Sequence, residues 1–160
     1  MVKIRPKTVV QLSMAGVGET HSRSRISVRD VTATIDEPVE RDGTNEGLSP
    51  TETLMSALIG CTNVISNKIA KRMGFRLGRM DMALSWQFDR RGTMLIEEVE
   101  RPFSDLRLEI EVETSGTEAE MATLREDLQK FCPIAKVIRG SGVTITENWT
   151  LKPLRGKSHD

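Results

Sequence analysis

The longest regular pattern of apolar residues lies between residues 49 and 74, where its spacing predicts a single helix. Ser49, Pro50 and Glu52 provide an N-cap, a first-turn proline and a capping box. Gly74 follows the last turn and predicts its end. One apolar stripe runs along this helix: Leu54, Leu58, Cys61, Ile65 and Ile69. A second stripe beginning at Met55 predicts that the first half of the helix is buried on more than one side.

Alternation of apolar and polar residues predicts strands on both sides of this helix. The predicted strands are residues 8–15, 25–35, 79–88, 106–113 and 143–151. The run 25–35 can divide into two strands at Arg29, and Gly16 and Gly18 predict a turn before it. Residues 90–102 fit either a hairpin tip or a pair of strands. In residues 106–113 every second side chain is apolar, which predicts one buried face of a sheet.

Two shorter helices are predicted near the end of the chain. Thr117 and Glu120 form a second capping-box pattern, and the helix that begins there is broken at Cys132 and Pro133. A short helix then ends at Gly140. The order of strands, long helix, strands, two helices and a last strand predicts one α+β domain over residues 1–160.

Composition and charge restrict the classes of partner that we expect. The formal net charge is zero and charged residues make up 29% of the chain, so we expect no nucleic-acid partner. The longest apolar run is shorter than the roughly 20 residues that span a membrane, and we expect no membrane contact. The first residues lack the apolar core of a secretory signal, so we expect a cytoplasmic protein.

A metal site is not expected. The metal-binding residue types that stand out are His21, His159, Cys61 and Cys132, and they are far apart in the sequence. The acidic loop 36–48 lacks the alternating ligands of a calcium loop and is interpreted as a solvated connection.

The two cysteines are the candidates for chemistry, and the residues alone leave their role open. A free cysteine in an apolar setting usually packs as a small hydrophobic residue, and burial raises its pKa. Gly60, next to Cys61, costs about 1 kcal/mol relative to alanine inside a helix, which a close approach by another backbone would explain. In a reducing compartment, a partnership between Cys61 and Cys132 would be redox or catalytic rather than a permanent disulfide.

Both cysteines lie in segments that resemble one known family. The segments GTNEGLSPTETLMSALIGCTNV and FCPIAKVIRGSGVTITENWTL resemble the two cysteine motifs of the OsmC/Ohr family of organic hydroperoxide reductases. The order of predicted strands agrees over residues 8–151. This resemblance implies the OsmC-like α+β fold, with antiparallel sheets wrapped around a long central helix. It also implies an intertwined homodimer with each active site at the subunit interface.

The resemblance further implies a mechanism for thiol-dependent reduction of an organic hydroperoxide. Cys61 would be the peroxidatic thiolate that becomes a sulfenic acid, and Cys132 the resolving thiol that condenses with it to a disulfide. An external dithiol would return both to thiols, so no bound cofactor is expected. Condensation requires the two Cα atoms to come within about 7 Å.

The family also places an arginine beside the peroxidatic cysteine and a glutamate that holds it. Arg25 is the first candidate and Arg23 the second, with Arg29 also on the early strands. In the family the glutamate directly follows the proline, where this chain has Thr51. Glu52 is the nearest carboxylate, but a shift of one residue turns a helical side chain by about 100°. Its alternative role is in the capping box.

Two other functions remain compatible with the sequence. One is a non-catalytic relative that binds a hydrophobic or thiol-containing small molecule in the same pocket. The other is a structural dimer module in which both cysteines only pack, and in which replacing either one changes stability alone. The reactivity of the Cys61 thiol towards peroxide distinguishes these from a peroxidase.

Overall fold

The computed structural model describes residues 8–155 of the chain. It divides into two compact units, the first ending at Leu54 and the second beginning at Met55. The boundary falls near the start of the long helix α1, Pro50–Met73. The fold is of the α+β class, as the sequence predicts, with three α-helices and two three-stranded sheets in the described part of the chain.

The first unit contains a three-stranded antiparallel meander. Its strands are β1 Ala15–Gly18, β2 Ser24–Val28 and β3 Val31–Ile35, followed by a short 3-10 turn at Val39–Arg41. Arg29 has a positive φ of 53° in the tight turn between β2 and β3, so the predicted division of the run 25–35 is confirmed.

The prediction of a strand at residues 8–15 was wrong. Residues 8–14 form no strand, and β1 instead contains Gly16 and Gly18, which were predicted to lie in a turn. The turn follows Gly18, where the backbone N–H groups of Glu19 and Thr20 both donate to the carbonyl of Arg23. A strand forms where its backbone N–H and C=O groups can pair with those of a neighbouring strand. Because β2 pairs with residues 15–18, which contain both glycines, the alternation of side chains in residues 8–15 predicted the wrong position for β1.

The loop 36–48 is organised around a buried carboxylate rather than being simply solvated, which corrects the interpretation of Asp36. The Asp36 side chain is fully buried. It accepts hydrogen bonds from Ser22 Oγ at 2.9 Å, Glu37 N at 2.9 Å and Glu46 N at 3.2 Å. Thr44 donates two more, from its N–H at 2.9 Å and its hydroxyl at 2.6 Å. Five donors thus replace the water that a carboxylate would otherwise bind.

Asp36→Asn is expected to lower the melting temperature by roughly 4 °C at neutral pH. The side-chain amide of asparagine carries N–H donors, and these would face neighbouring groups that are themselves hydrogen-bond donors. The Thr44 hydroxyl and the other donors hold the pKa of Asp36 well below its usual range, because they stabilise the charged form. A lowered pKa stabilises the fold above the unfolded-state pKa of 3.8, and this contribution is lost as the pH falls.

Melting curves of the wild type and Asp36→Asn, followed by circular dichroism, should therefore differ most at neutral pH and begin to converge as the pH falls below about 4. Glu40→Gln is the matched control, because Glu40 is an exposed carboxylate of the same loop. A difference of equal size at every pH would contradict the role given to the Asp36 charge.

The second unit places a sheet and two helices after α1. Its elements are β4 Leu77–Phe88, β5 Phe103–Thr114, α2 Glu118–Phe131, α3 Pro133–Gly140 and β6 Ile145–Pro153. The strand order is β4-β5-β6, and residues 90–102 lie in the connection between β4 and β5, as the hairpin-tip alternative predicts. The β4–β5 pair is antiparallel, but β5 and β6 pair in parallel. This differs from the antiparallel sheets expected, because α2 and α3 form the crossover that parallel strands require.

One face of β5 forms the centre of the hydrophobic core. Leu106, Leu108, Ile110 and Val112 are buried and alternate with exposed charged residues, as predicted. The core continues into α2 through Met121, Leu124 and Leu128, and into α1 through Met55, Leu58 and Ile69. β4 adds half-buried side chains such as Met82 and Trp86 on its predicted face.

The buried face of α1 is narrower than the sequence predicts. It runs through Met55, Leu58, Thr62, Ser66, Ile69 and Ala70. Leu54 is 40% exposed and Val64 is 50% exposed, so residues 8–155 of one chain leave these two side chains of the helix partly uncovered. A Cβ added to Gly60 would meet no described atom within 4 Å, and the expected close backbone approach is therefore not made within the described part of the chain.

Candidate functional site

The structure brings the two cysteines together. Cys61 lies in α1, and Cys132 lies at the junction where α2 ends and α3 begins. Both are free thiols, and their Sγ atoms are 2.9 Å apart. Cys132 is completely buried, whereas Cys61 is half-buried. Of the two sulfurs, that of Cys61 is therefore the more accessible to a reactant.

The helix junction sets the position of Cys132. Pro133 cannot continue the hydrogen-bond ladder of α2, but it is well suited to the first position of α3. The N–H of Cys132 donates to the carbonyl of Leu128 at 2.9 Å, which closes α2. Its sulfur caps α3 by accepting the N–H of Ala135 at 3.4 Å. Two helix ends thus direct the Cys132 side chain into the core.

The environment keeps Cys132 in its thiol form. Burial and, to a smaller extent, the hydrogen bond to Cys61 together raise the pKa of the Cys132 thiol to about 11, while the Ala135 N–H opposes the shift. At neutral pH Cys132 is therefore an S–H group that donates to the Cys61 sulfur. A buried S–H group of this kind is poorly suited to act as a nucleophile at neutral pH.

The sulfur separation is suited to disulfide formation. A disulfide has an S–S length of about 2.05 Å, so the observed distance of 2.9 Å requires the sulfurs to move less than about 1 Å closer. This arrangement meets the geometric requirement for a thiol that resolves a sulfenic acid.

The candidate arginines lie in the first unit and are held by acidic residues that the sequence analysis did not select. Arg25 Nε is 2.6 Å from Glu19 Oε1, and Arg23 Nε is 3.2 Å from Glu19 Oε2. Arg23 also forms an ion pair with Glu46. The Arg25 side chain is 58% exposed, compared with 24% for Arg23. Arg29 occupies the β2–β3 turn.

One feature of the sequence could have indicated this cluster. Arg23 and Arg25 are two positions apart, so in an extended chain they point to the same side and can share a carboxylate. Glu19 is four residues before Arg23, across the hairpin turn.

Glu52 takes part in the N-terminal cap of α1. Its Oε2 accepts the N–H of Ser49 at 2.8 Å, and its own N–H donates to Ser49 Oγ at 3.4 Å. This pair of hydrogen bonds is the predicted capping box, and its donors lower the pKa of Glu52. Thr51, at the family's glutamate position, contacts Ser49 Oγ through its hydroxyl at 3.3 Å. The carboxylates that contact Arg23 and Arg25 are those of Glu19 and Glu46.

Other kinds of site were sought in the described residues. No group of three or more His, Cys, Asp or Glu side chains within residues 8–155 is arranged to hold a metal ion. His21 donates from Nε2 to the backbone carbonyl oxygen of Asp42 at 2.8 Å. His159 lies outside the described residues. None of the described helices is long and apolar enough to cross a membrane.

Comparison with known proteins extends the resemblance noted in the sequence. The sequence model of a family described as OsmC-like protein matches residues 43–148, which include both cysteines. No curated protein sequence matches the chain significantly.

Several solved structures are similar to this chain. An OsmC-like protein from Mycoplasma pneumoniae has a TM-score of 0.74 and 19% identity, and the match covers 89% of this chain and 97% of that chain. An organic hydroperoxide resistance protein from Legionella pneumophila has a TM-score of 0.63 and 15% identity, covering 90% and 99%. The organic hydroperoxide resistance protein OhrB of Bacillus subtilis has a TM-score of 0.56 and 18% identity, covering 89% and 98%. These TM-scores and coverages establish the shared fold, and the expected OsmC-like fold is confirmed.

Proposed function

Because this chain belongs to the OsmC-like protein family, we propose that it reduces organic hydroperoxides through a thiol–disulfide cycle. Cys61 is the peroxidatic residue in this proposal and Cys132 the resolving residue. The observation that carries it is the 2.9 Å separation between an accessible thiol and a fully buried one. Organic hydroperoxide resistance proteins among the similar structures support the choice of substrate class.

The proposed catalytic cycle has three steps. The Cys61 thiolate attacks the terminal oxygen of ROOH, so that the O–O bond breaks, Cys61 becomes a sulfenic acid and RO⁻ takes a proton to give ROH. The Cys132 sulfur then displaces hydroxide from Cys61, and the Cys132 proton joins it as water. An external dithiol reduces the resulting disulfide by two electrons and is itself oxidised to a disulfide.

The apolar setting of Cys61 supports an organic substrate over hydrogen peroxide. Neighbours on the same helix, Leu58 and Ile65, belong to or pack against the hydrophobic core, as Cys61 itself does. The organic group of a hydroperoxide gains free energy from contact with apolar side chains, at about 25 cal/mol per Å² removed from water. Hydrogen peroxide has no such group.

Arg25 and Arg23 have the role of stabilising the thiolate and orienting the peroxide in this proposal. Their shared carboxylate Glu19 supports this role, because a guanidinium group paired with a carboxylate keeps a fixed orientation while retaining further N–H donors. Arg25, with its more exposed side chain, remains the first choice. Glu52 is assigned to the helix cap rather than to this pair.

The setting of the reaction is part of the same proposal. We place the protein in the cytoplasm, where reducing systems supply dithiols, and require no bound cofactor. A homodimer is supported by large apolar side chains exposed on the second unit, namely Val64, Phe131 and Val137. We propose no nucleic-acid or membrane partner, since the net charge is zero.

A count of free thiols tests the proposed function. We expect fully reduced protein to lose both thiols on addition of one equivalent of cumene hydroperoxide and to regain both with dithiothreitol. The released cumyl alcohol should equal the disulfide formed. An equal concentration of hydrogen peroxide is the matched control and should react more slowly. Survival of both thiols over many minutes with cumene hydroperoxide would rule the proposal out.

A further inference from the structure

We infer that Cys132 has a second role before any peroxide binds, in which its S–H group donates a hydrogen bond to Cys61 and stabilises the Cys61 thiolate. This inference rests on the proposed use of Cys61 as the nucleophile. It makes Cys132 an activating residue in the reduced protein as well as the resolving residue in the oxidised one.

The direction of the hydrogen bond follows from the surroundings of the two sulfurs. Cys132 is fully buried, and a negative charge there would lose its hydration, whereas Cys61 is half-buried and keeps part of it. The Cys132 sulfur already accepts the N–H of Ala135 at 3.4 Å. Its own proton is free to point at the Cys61 sulfur, 2.9 Å away. The proton therefore resides on Cys132, and the negative charge develops on Cys61.

The groups around the pair support this assignment. Within the second unit, Cys132 is the titratable group whose side chain is hydrogen-bonded to the Cys61 sulfur. The other neighbours that influence the pKa of Cys132 are the backbone amides of Ala135 and Ile134 at the start of α3. These amides orient the Cys132 sulfur, and α3 begins there because Pro133 occupies its first position.

A donated hydrogen bond changes the chemistry of the acceptor. It favours the charged form of Cys61 over the neutral thiol. A thiolate, not a thiol, is the species that attacks a peroxide. The same proton is later available when Cys132 displaces hydroxide from the oxidised Cys61, so it ends in the water that leaves. One S–H group thus serves two consecutive steps.

Variants with a single thiol test the inference without any peroxide. Cys132→Ser keeps a hydrogen-bond donor next to Cys61. Cys132→Ala removes the donor, and Cys132→Val removes the donor while filling the space of the Cys132 side chain. The Cys61 thiolate is measured in each variant near neutral pH by its absorbance near 240 nm. We expect roughly tenfold less thiolate in both Cys132→Ala and Cys132→Val than in Cys132→Ser, because the donor that favours the charged form is lost.

These variants distinguish the loss of a hydrogen-bond donor from a change in side-chain packing. If packing alone mattered, Cys132→Val would match Cys132→Ser or exceed it in thiolate content, and equal thiolate content in the three variants would overturn the inference. Circular dichroism and melting temperature establish that each variant is folded. Cys61→Ser completes the set, because its remaining thiol, Cys132, is buried and should stay protonated near neutral pH. If the order of thiolate content holds but cumene hydroperoxide leaves the wild-type thiols intact, the hydrogen bond is established and the peroxidase function is rejected.

Discussion

Cys61→Ser is expected to lower the rate of organic hydroperoxide reduction by at least ~10³-fold, because a serine hydroxyl cannot replace a thiolate that accepts an oxygen atom. The remaining thiol, Cys132, is fully buried and has a pKa raised by burial, so it does not substitute as the nucleophile. The fold should persist, since the substitution removes no large side chain from the core. Consumption of cumene hydroperoxide in the presence of dithiothreitol measures the loss.

Cys132→Ser serves as the matched variant because it removes the partner thiol at the same site. It should react once with cumene hydroperoxide and stop as a sulfenic acid on Cys61, which dimedone traps with the corresponding gain in mass. Equal peroxide consumption by the wild type and Cys61→Ser would remove Cys61 from the mechanism. Identical behaviour of the two cysteine variants would contradict their division into peroxidatic and resolving roles.

Leu108→Ala is expected to produce the largest loss of stability in the second unit, at about 3 kcal/mol. Leu108 lies on the central strand β5, is completely buried, and belongs to the core shared by the sheet and the helices. Truncation removes apolar contacts and leaves a cavity between elements that cannot fully close. Urea unfolding followed by circular dichroism measures the change in free energy of unfolding.

Arg107→Ala provides the control for the same strand. Arg107 precedes Leu108 and lies on the exposed face, so its replacement should change the free energy of unfolding by less than about 0.5 kcal/mol. A comparable loss in both variants would indicate that the strand itself, and not burial of its inner face, is sensitive to substitution.

Local signals in the sequence were sufficient for the helices and for most strands of the second unit. The capping boxes at Ser49 and Thr117 are present, and Gly74 follows α1 with a positive φ of 88°. The alternation through Leu106, Leu108, Ile110 and Val112 identified the buried face of β5. These features depend on residues within one or two turns or along one strand, so a short window of sequence contains the necessary information.

Features that depend on contacts between residues far apart in the sequence could not be predicted from a short window. β1 was misplaced because its register depends on β2, and the parallel pairing of β6 depends on the path of two helices. Asp36 was interpreted as a solvated residue because its hydrogen-bond donors come from positions as distant as Ser22 and Glu46. Glu46 was missed for the same reason, since it lies 23 residues from Arg23, whereas Glu19 is a near neighbour of both arginines.

The sequence by itself determined the helices, the alternating core strands and the family resemblance that selected Cys61 and Cys132. The tertiary structure alone decided that their sulfurs lie 2.9 Å apart, that one is buried and the other accessible, and that the buried one donates. Propensity, capping and periodicity act between near neighbours, so they can be identified from the order of residues. Distance, desolvation and proton position arise only when segments far apart in the chain pack together, and these quantities determine the reactivity of the two thiols.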